Sequence, residues 1–187
     1  MYKYCKTEQS ALRQRELEQG LLDMMTHRRF EEISVSELCD RLNIPRKSFY
    51  RYFSSKDGAL YALLDHTLME FYDMGSIEGL RGGTPTGDLE RFFQFWKKNK
   101  KLLGAILYSN LSGMLVERAV SLAKQEELMP GYVSAWEDMM QDVAMSFVVC
   151  GLMSMVIQWH SGGYRITTEQ MAKTAVKMLS RPLLPNA

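Results

Sequence analysis

Residues 34–56, SVSELCDRLNIPRKSFYRYFSSK, constrain the fold more than any other part of this 187-residue chain. Ser34 and Glu37 have the spacing of a capping box, in which each residue's side chain accepts a hydrogen bond from the other's amide. A helix therefore begins at Ser34, and we expect it to stop at Asn43, because asparagine tolerates the left-handed backbone that ends many helices. Pro45 suits the first turn of the next helix, where its missing amide hydrogen costs nothing. The pattern predicts two short helices joined by a tight turn.

The second of these helices carries side chains that bind nucleic acids. Phe49 and Phe53 are four residues apart and can anchor one helical face in a core. The other side chains then point to the flanks and to solvent: Arg46, Lys47, Ser48, Tyr50, Arg51 and Tyr52. Residues 41–56 hold five basic and no acidic residues, whereas residues 31–40 hold four acidic and no basic residues. Because such side chains pair with base edges and phosphates, the pattern favours a DNA-binding helix-turn-helix.

The order of these parts resembles the DNA-binding domain of the TetR family of bacterial transcriptional regulators. The resemblance covers residues 17–64 and rests on an apolar first helix (LLDMMTHRRF), on ISVSELC, and on SFYRYF followed by SKD. It implies that one set of positions contacts DNA, the last three of them at phosphates: Ser34, Ser36, Arg46, Lys47, Ser48, Tyr50, Tyr52 and Lys56. Two residues depart from the family pattern, since Asn43 and Arg29 stand where many members have glycine.

The rest of the chain is predicted to be helical as well. A bridging helix begins near Ser55, Asp88 can cap a helix after a loop rich in glycine, and a long helix spans about residues 132–160. Thr167 and Gln170 predict a capping box for a last helix. We therefore expect an all-α protein. Its N-terminal three-helix helix-turn-helix domain (residues 1–54) is joined by the bridging helix to a C-terminal helical bundle (residues 55–187), which the resemblance implies binds a ligand and dimerises.

The C-terminal part is rich in aromatic and methionine side chains. Methionine is flexible and polarizable and suits pockets that accept several apolar shapes, and the TetR resemblance implies an inducer held between the helices. The candidate ligand-binding residues are Phe92, Trp96, Tyr108, Met114, Trp136, Met140 and Phe147. The same side chains equally suit an ordinary helical core.

The last two helices are the candidate dimer interface. An apolar stripe with helical spacing lies on the final helix and comprises Ala172, Ala175, Val176 and Leu179. Gly151 and Ser154 allow close approach on the long helix before it. The resemblance implies a four-helix interface in a homodimer, whose recognition helices lie about 34 to 36 Å apart on a palindromic operator. The alternative is that the stripe only closes the core of the monomer.

Composition excludes several other classes of protein. The net charge is only +1, so the argument for DNA rests on local charge placement. The three cysteines form no C-x-x-C pair, the histidines have no metal-binding spacing, and the first ten residues lack the apolar core of a signal peptide. The strongly apolar residues 143–157 fall short of the roughly 20 that span a bilayer. We expect a cytoplasmic protein with no cofactor, no metal site and no catalytic residue.

These observations predict a sequence-specific DNA-binding transcriptional regulator, a repressor released from its operator by a small apolar or aromatic effector. Two other classes of function remain open on sequence grounds. One is a helical protein-interaction or adaptor protein whose helix-turn-helix no longer binds DNA. The other is a small all-helical enzyme. Salt-dependent binding to DNA distinguishes the regulator from both alternatives.

Overall fold

The structure, a computed structural model, describes residues 2, 3, 5, 7–77, 84–125 and 138–180. In these ranges it is all-helical, as predicted, and the helices are α1 (Glu8–Met25), a 3-10 turn (Phe30–Glu32), α2 (Val35–Arg41), α3 (Arg46–Tyr52), α4 (Lys56–Ile77), α5 (Pro85–Lys98), α6 (Lys100–Tyr108), α7 (Ser112–Gln125), α8 (Asp138–Ser161) and α9 (Thr168–Ser180). The described residues contain no strand apart from one isolated antiparallel bridge between Tyr2 and Phe53.

The chain divides into two compact units. Unit 1 comprises Met1–Leu68 with Gly104–Leu115, and unit 2 comprises Met69–Leu103 with Val116–Ala187. The division differs from the boundary expected after residue 54 in two ways. The first half of α4 belongs to unit 1, because side chains such as Leu60 and Leu64 are fully buried in its core. The end of α6 and the start of α7 also belong to unit 1.

The core of unit 1 forms around the helix-turn-helix. Leu21, Leu38, Phe49 and Phe53 are fully buried, as the spacing of the two phenylalanines predicted. Gly20 on α1 lies close to Leu42, because a Cβ atom at this position would lie 2.8 Å from a methyl carbon of that residue. The absence of a side chain on α1 therefore allows the end of α2 to pack closely against it.

Unit 2 is organised around α5 and α9, which pack against each other. The last helix begins with the predicted capping box, in which the Gln170 amide donates to the Thr167 hydroxyl at 3.2 Å and the Thr167 amide donates to the Gln170 side chain at 2.9 Å. The prediction that Asp88 caps α5 was wrong. Thr84 is the cap, because its hydroxyl accepts the Gly87 amide at 3.2 Å and Pro85 fills the first helical position.

The α8 helix is more apolar over a longer stretch than expected. Residues 140–161 form a 22-residue helical segment that is long and apolar enough, by length and composition only, to cross a membrane. One face of this helix is buried in unit 2 through residues such as Leu152 and Val156. Because a helix with one face in a protein core passes the same test, α8 alone does not indicate a membrane protein.

Candidate nucleic-acid interface

The helix-turn-helix has the local geometry that its sequence predicted. The Ser34 hydroxyl accepts the Glu37 amide at 3.2 Å, and the Glu37 carboxylate accepts the Ser34 amide at 2.9 Å, which completes the capping box. Asn43 has φ +50°, the left-handed conformation expected at the end of α2. The Ile44 amide then donates to the Cys39 carbonyl at 2.9 Å. The turn therefore closes without glycine, because asparagine tolerates this backbone conformation.

The surface of α3 presents positive charge. Arg46, Lys47 and Arg51 are exposed, and in the described part of the chain none of them has a carboxylate partner. Tyr50 is 45% exposed, whereas Ser48 is half-buried. Since Phe49 and Phe53 fix the opposite face of α3 in the core, the charged face is held in one orientation on a rigid element. It can meet phosphates and base edges without first breaking an ion pair.

Both serines of α2 remain candidates for DNA contacts. Ser34 is exposed, and its hydroxyl uses an acceptor lone pair on the Glu37 amide, so its O–H group remains able to donate to a phosphate. Ser36 is half-buried in the first turn of the same helix. The helix cap and a DNA contact are therefore compatible uses of Ser34.

Tyr52 does not lie on the solvent face of α3 as predicted. Only 8% of the residue is exposed, and its ring lies beside that of Phe53 at 6.3 Å between centroids. The reason is the position of Tyr52 in the last turn of a seven-residue helix, next to the phenylalanine that anchors the helix end. Its expected contact with a phosphate is not supported by this burial.

Lys56 also differs from its prediction as a phosphate contact. Its ammonium donates to the carbonyls of Phe30 at 2.5 Å, Ile33 at 2.6 Å and Glu31 at 3.3 Å. The same ammonium lies 4.3 Å from the centroid of the Phe30 ring. Because an ammonium has three donor hydrogens, these carbonyls account for all of them. Desolvation by burial lowers the pKa of Lys56. The residue therefore stabilises the turn between α1 and α2.

An ion pair that sequence analysis missed joins the same turn to α2. Arg28 donates to the Glu37 carboxylate at 2.7 Å. This hydrogen bond, together with those from Ser34, lowers the pKa of Glu37 to about 2. The carboxylate therefore stays charged through the pH range in which an ordinary glutamate is protonated. The nine-residue separation of Arg28 and Glu37 has no helical period, which is why spacing did not indicate the pair.

The end of α6 contacts this turn within unit 1. The Phe30 amide donates to the hydroxyl of Ser109 at 3.0 Å, and Ser109 is only 1% exposed. The Arg29 guanidinium lies 5.9 Å from the centroid of the Tyr108 ring. Tyr108, a predicted ligand-binding residue, therefore belongs to unit 1 and is 51% exposed. Arg29, the departure from the family's glycine, forms half of this contact.

Two predicted ligand-binding residues lie in an aromatic cluster in unit 2. Phe92 and Trp96 are buried, with ring centroids 6.4 Å apart, and Phe71 and Phe95 complete the cluster at 5.2 Å from each other. The Trp96 side chain is 1% exposed, yet its indole nitrogen has no hydrogen-bond partner among the described residues. An unpaired buried N–H group costs about 1 to 3 kcal/mol, so it is the feature of this cluster that a ligand acceptor would satisfy.

The other predicted ligand-binding residues have different environments where the structure describes them. Met114 is half-buried in unit 1, and Trp136 lies outside the described residues. Met140 and Phe147 are 45% and 67% exposed on α8. With Val143, they form an exposed apolar face on α8 whose spacing follows the helical period. The observed exposure fits a surface that meets another molecule better than the lining of a pocket.

The predicted dimer residues separate into three groups by burial. Gly151 and Ser154 are exposed on α8, and a Cβ atom at Gly151 would meet nothing within 4 Å. Ala172 and Ala175 are buried in unit 2, so they belong to the monomer's own core, the alternative left open by the sequence. The physical reason is that α9 uses this face to pack on α5. Two further residues of the stripe are half-buried, namely Val176 and Leu179.

The structural role of Lys56 is tested by Lys56→Met, which keeps the apolar stem and removes the ammonium. We expect a loss of about 2 kcal/mol in the free energy of unfolding, because charged hydrogen bonds to three carbonyls are lost. The salt dependence of DNA affinity should not change. Lys47→Met is the matched control and should show the reverse, an unchanged stability and a smaller salt slope. A reduced salt slope with unchanged stability in Lys56→Met would instead support the original assignment of Lys56 as a phosphate contact.

Comparisons with known proteins agree with this architecture. The structure is similar to that of the fatty acid degradation regulator FadR from Bacillus halodurans, at 15% identity and a TM-score of 0.65, covering 96% of this chain and 98% of that one. It is also similar to a TetR-family regulator from Streptomyces coelicolor (18%, 0.60, 94% and 81%) and to the dihydroxyacetone kinase operon activator DhaS (15%, 0.55, 89% and 93%). No protein of curated function matches the sequence. At these identities the likeness shows the fold.

The sequence itself matches two profiles of one family. Residues 22–63 match the bacterial regulatory proteins of the tetR family, and residues 83–181 match the transcriptional regulator C-terminal region of TetR proteins. The second match alone covers more than half of the chain. Together with the capped helix-turn-helix and the exposed basic side chains of α3, these matches show that the chain belongs to the TetR family of DNA-binding transcriptional regulators.

Proposed function

We propose that this regulator is a homodimeric, cytoplasmic repressor that binds a palindromic operator and is released by a small apolar effector. The observation that carries the proposal is the exposed face of α3, where Arg46, Lys47 and Arg51 have no carboxylate partner among the described residues. Arg46 and Lys47 occupy the first turn of the recognition helix, whose side chains reach base edges in such motifs. Ser34, Ser36, Ser48 and Tyr50 supply donors for phosphates.

We propose repression as the sign of regulation. Repression needs only that the bound dimer blocks a promoter, and no further surface is required for it. The structural neighbour DhaS is the activator of a dihydroxyacetone kinase operon, so the fold is compatible with either sign. We propose no catalytic role, since the matched domains are those of regulators.

We propose that the exposed face of α8 binds a second copy of the chain. This face combines large apolar side chains, Val143 at 60% and Phe147 at 67% exposure, with the small residues Gly151 and Ser154 one or two turns further on. Small residues let two helices approach closely, and large exposed apolar residues gain free energy when covered. No acidic residue, lysine or arginine occurs between Asp142 and Arg165, so the face carries no charge to desolvate.

A two-fold axis at this face would bring the same helix of both protomers together, as an isologous interface requires. The partner contacts proposed for α9 are then limited to Val176 and Leu179, because the two alanines of the predicted stripe are used inside the monomer. The interface is thus shifted from the last helix toward α8, relative to the sequence prediction.

We propose that the effector binds beside the aromatic cluster of unit 2 and presents a hydrogen-bond acceptor to the Trp96 indole. The rings of Phe71, Phe92 and Phe95 supply an apolar surface, and the unpaired N–H group supplies the polar contact that orients a ligand in such sites. A fatty acid has both features. The FadR neighbour, described as a regulator of fatty acid degradation, makes this class a suitable first probe.

Base reading by α3 is tested by Arg46→Ala on an operator selected from random-sequence DNA. We expect a loss of about 1 to 3 kcal/mol in binding free energy and a relaxed preference at one base pair, because one side chain reads that base edge. Tyr50→Phe is the control and should weaken all operator variants by a similar factor. Equal losses on every single-base variant with Arg46→Ala would remove the base-reading role from this residue.

The dimer interface is tested by Phe147→Asp, which would bury a carboxylate against the partner. We expect a folded monomer in sedimentation and a large loss of operator affinity. Only the dimer links two recognition helices so that they bind the two half-sites of one operator together. Ile166→Asp, at another exposed apolar residue of unit 2, is the control and should remain dimeric. A Phe147→Asp protein that is still dimeric with full operator affinity would show that the interface lies elsewhere.

The effector site is tested with dodecanoic acid as the probe, by tryptophan fluorescence and by operator affinity. Binding should lower operator affinity, and Trp96→Phe should weaken binding of the acid up to about tenfold, the value of one hydrogen bond. Trp159→Phe is the control, because the Trp159 indole already donates to the Ile166 carbonyl at 2.9 Å. Fluorescence changes that never accompany a change in operator affinity would separate ligand binding from regulation.

A further inference from the structure

We propose that Lys3 binds a DNA phosphate, on a strap formed by residues 2 and 3 that extends the DNA-binding surface beyond the end of α3. The inference rests on the proposed DNA-binding function and adds a contact outside the helix-turn-helix. The N-terminal segment forms a backbone bridge with the residue that follows the recognition helix. This is the only extended bridge among the described residues.

The main chain of the strap is held at both sides of Lys3. Tyr2 and Phe53 form the antiparallel bridge, and the Lys3 amide donates to the Tyr52 carbonyl at 3.0 Å. The Gln14 side-chain amide on α1 donates to the Lys3 carbonyl at 3.4 Å. Lys3 is therefore attached to the last residue of the recognition helix and to the first helix of the same compact unit.

The side chain of Tyr2 anchors the strap from the other direction. Its hydroxyl donates to the carboxylate of Asp65 on α4 at 2.9 Å, and Asp65 is only 2% exposed. The Tyr2 ring contacts the His66 ring edge to face, with 5.5 Å between centroids. Successive side chains of an extended segment point to opposite sides. Since Tyr2 points toward α4, Lys3 points away from it, in agreement with its exposure.

Lys3 is exposed, and its charge has no partner within the described part of the chain. No carboxylate pairs with it in the described ranges, which is also true of Arg46, Lys47 and Arg51 on α3. By contrast, the ammonium of Lys56, the expected phosphate contact nearby, is occupied by three carbonyls. Lys3 therefore adds a second available positive charge at this end of α3, beside that of Arg51 in the last turn of the helix.

Distances along α3 allow this contact. A seven-residue helix is about 10 Å long, and the major groove that receives it is about 12 Å wide between its bounding phosphate backbones. With Arg46 over the base edges, a residue bonded to Tyr52 lies about one helix length away. That length is comparable to the width of the groove, so such a residue can lie near the phosphates at the groove edge, and the lysine stem adds four carbons of reach. In homeodomains, too, an N-terminal arm outside the recognition helix contacts DNA.

The experiment measures affinity for a short random-sequence duplex between about 50 and 200 mM salt, where each phosphate contact contributes close to one unit to the slope of log affinity against log salt. We expect Lys3→Ala to reduce the slope by about one unit and to weaken operator and random DNA by the same factor. Lys3→Arg should retain the wild-type slope, and Lys3→Glu should weaken binding further than alanine.

The control is Lys177→Ala, which removes an exposed lysine from the last turn of α9 in unit 2 and should leave the slope unchanged. Urea unfolding of each variant verifies that the exposed substitutions leave stability intact. A wild-type slope in Lys3→Ala overturns the proposal, and so does a loss of affinity without a change in slope, which would indicate a structural role. Failure of the wild-type protein to bind any duplex would instead refute the proposed DNA-binding function.

Discussion

The turn between α1 and α2 is the point on which the DNA-binding unit depends. Its carbonyls are held by the Lys56 ammonium at the start of α4, and its Phe30 amide is held by the Ser109 hydroxyl at the end of α6. Arg28 adds an ion pair from the same turn to Glu37 on α2. A short turn fixed by three helices sets where α2 begins, and α3 follows α2 after a closed turn. These polar contacts position α2, and the buried side chains of Phe49 and Phe53 hold α3 against the core.

Through this hydrogen bond, the end of α6 is connected directly to the turn that positions the helix-turn-helix. Ser109 is buried, so breaking its hydrogen bond would leave the Phe30 amide unpaired at a cost of about 1 to 3 kcal/mol. That is the same size as typical coupling free energies between two ligand sites. A shift of this helix end must consequently either displace the turn or incur this cost.

The helix-turn-helix was predictable because its determinants are local. Capping residues, Asn43 at the left-handed position and the pair Phe49 and Phe53 act within a few residues of chain, so spacing alone identifies them. Lys56 illustrates the opposite case. Its residue type and position in the family pattern indicated a phosphate contact, but carbonyls 23 to 26 residues earlier in the chain occupy its ammonium. Sequence spacing does not predict which distant groups a long, flexible side chain contacts.

The sequence by itself determined the helical class and the charged face of α3, since these follow from helical period, capping and charge order, and its motifs indicated the family by resemblance. Only the tertiary structure decided which apolar stripes face inward. Ala172 is buried in unit 2, where α9 packs on α5, while Phe147 on a helix that is apolar nearly all round is exposed. A period shows that a face is apolar, but burial depends on which neighbour covers it. The pairing of Lys3 with Tyr52 is likewise tertiary, because it joins residues almost fifty positions apart through the backbone, whose hydrogen bonds carry no sequence signature.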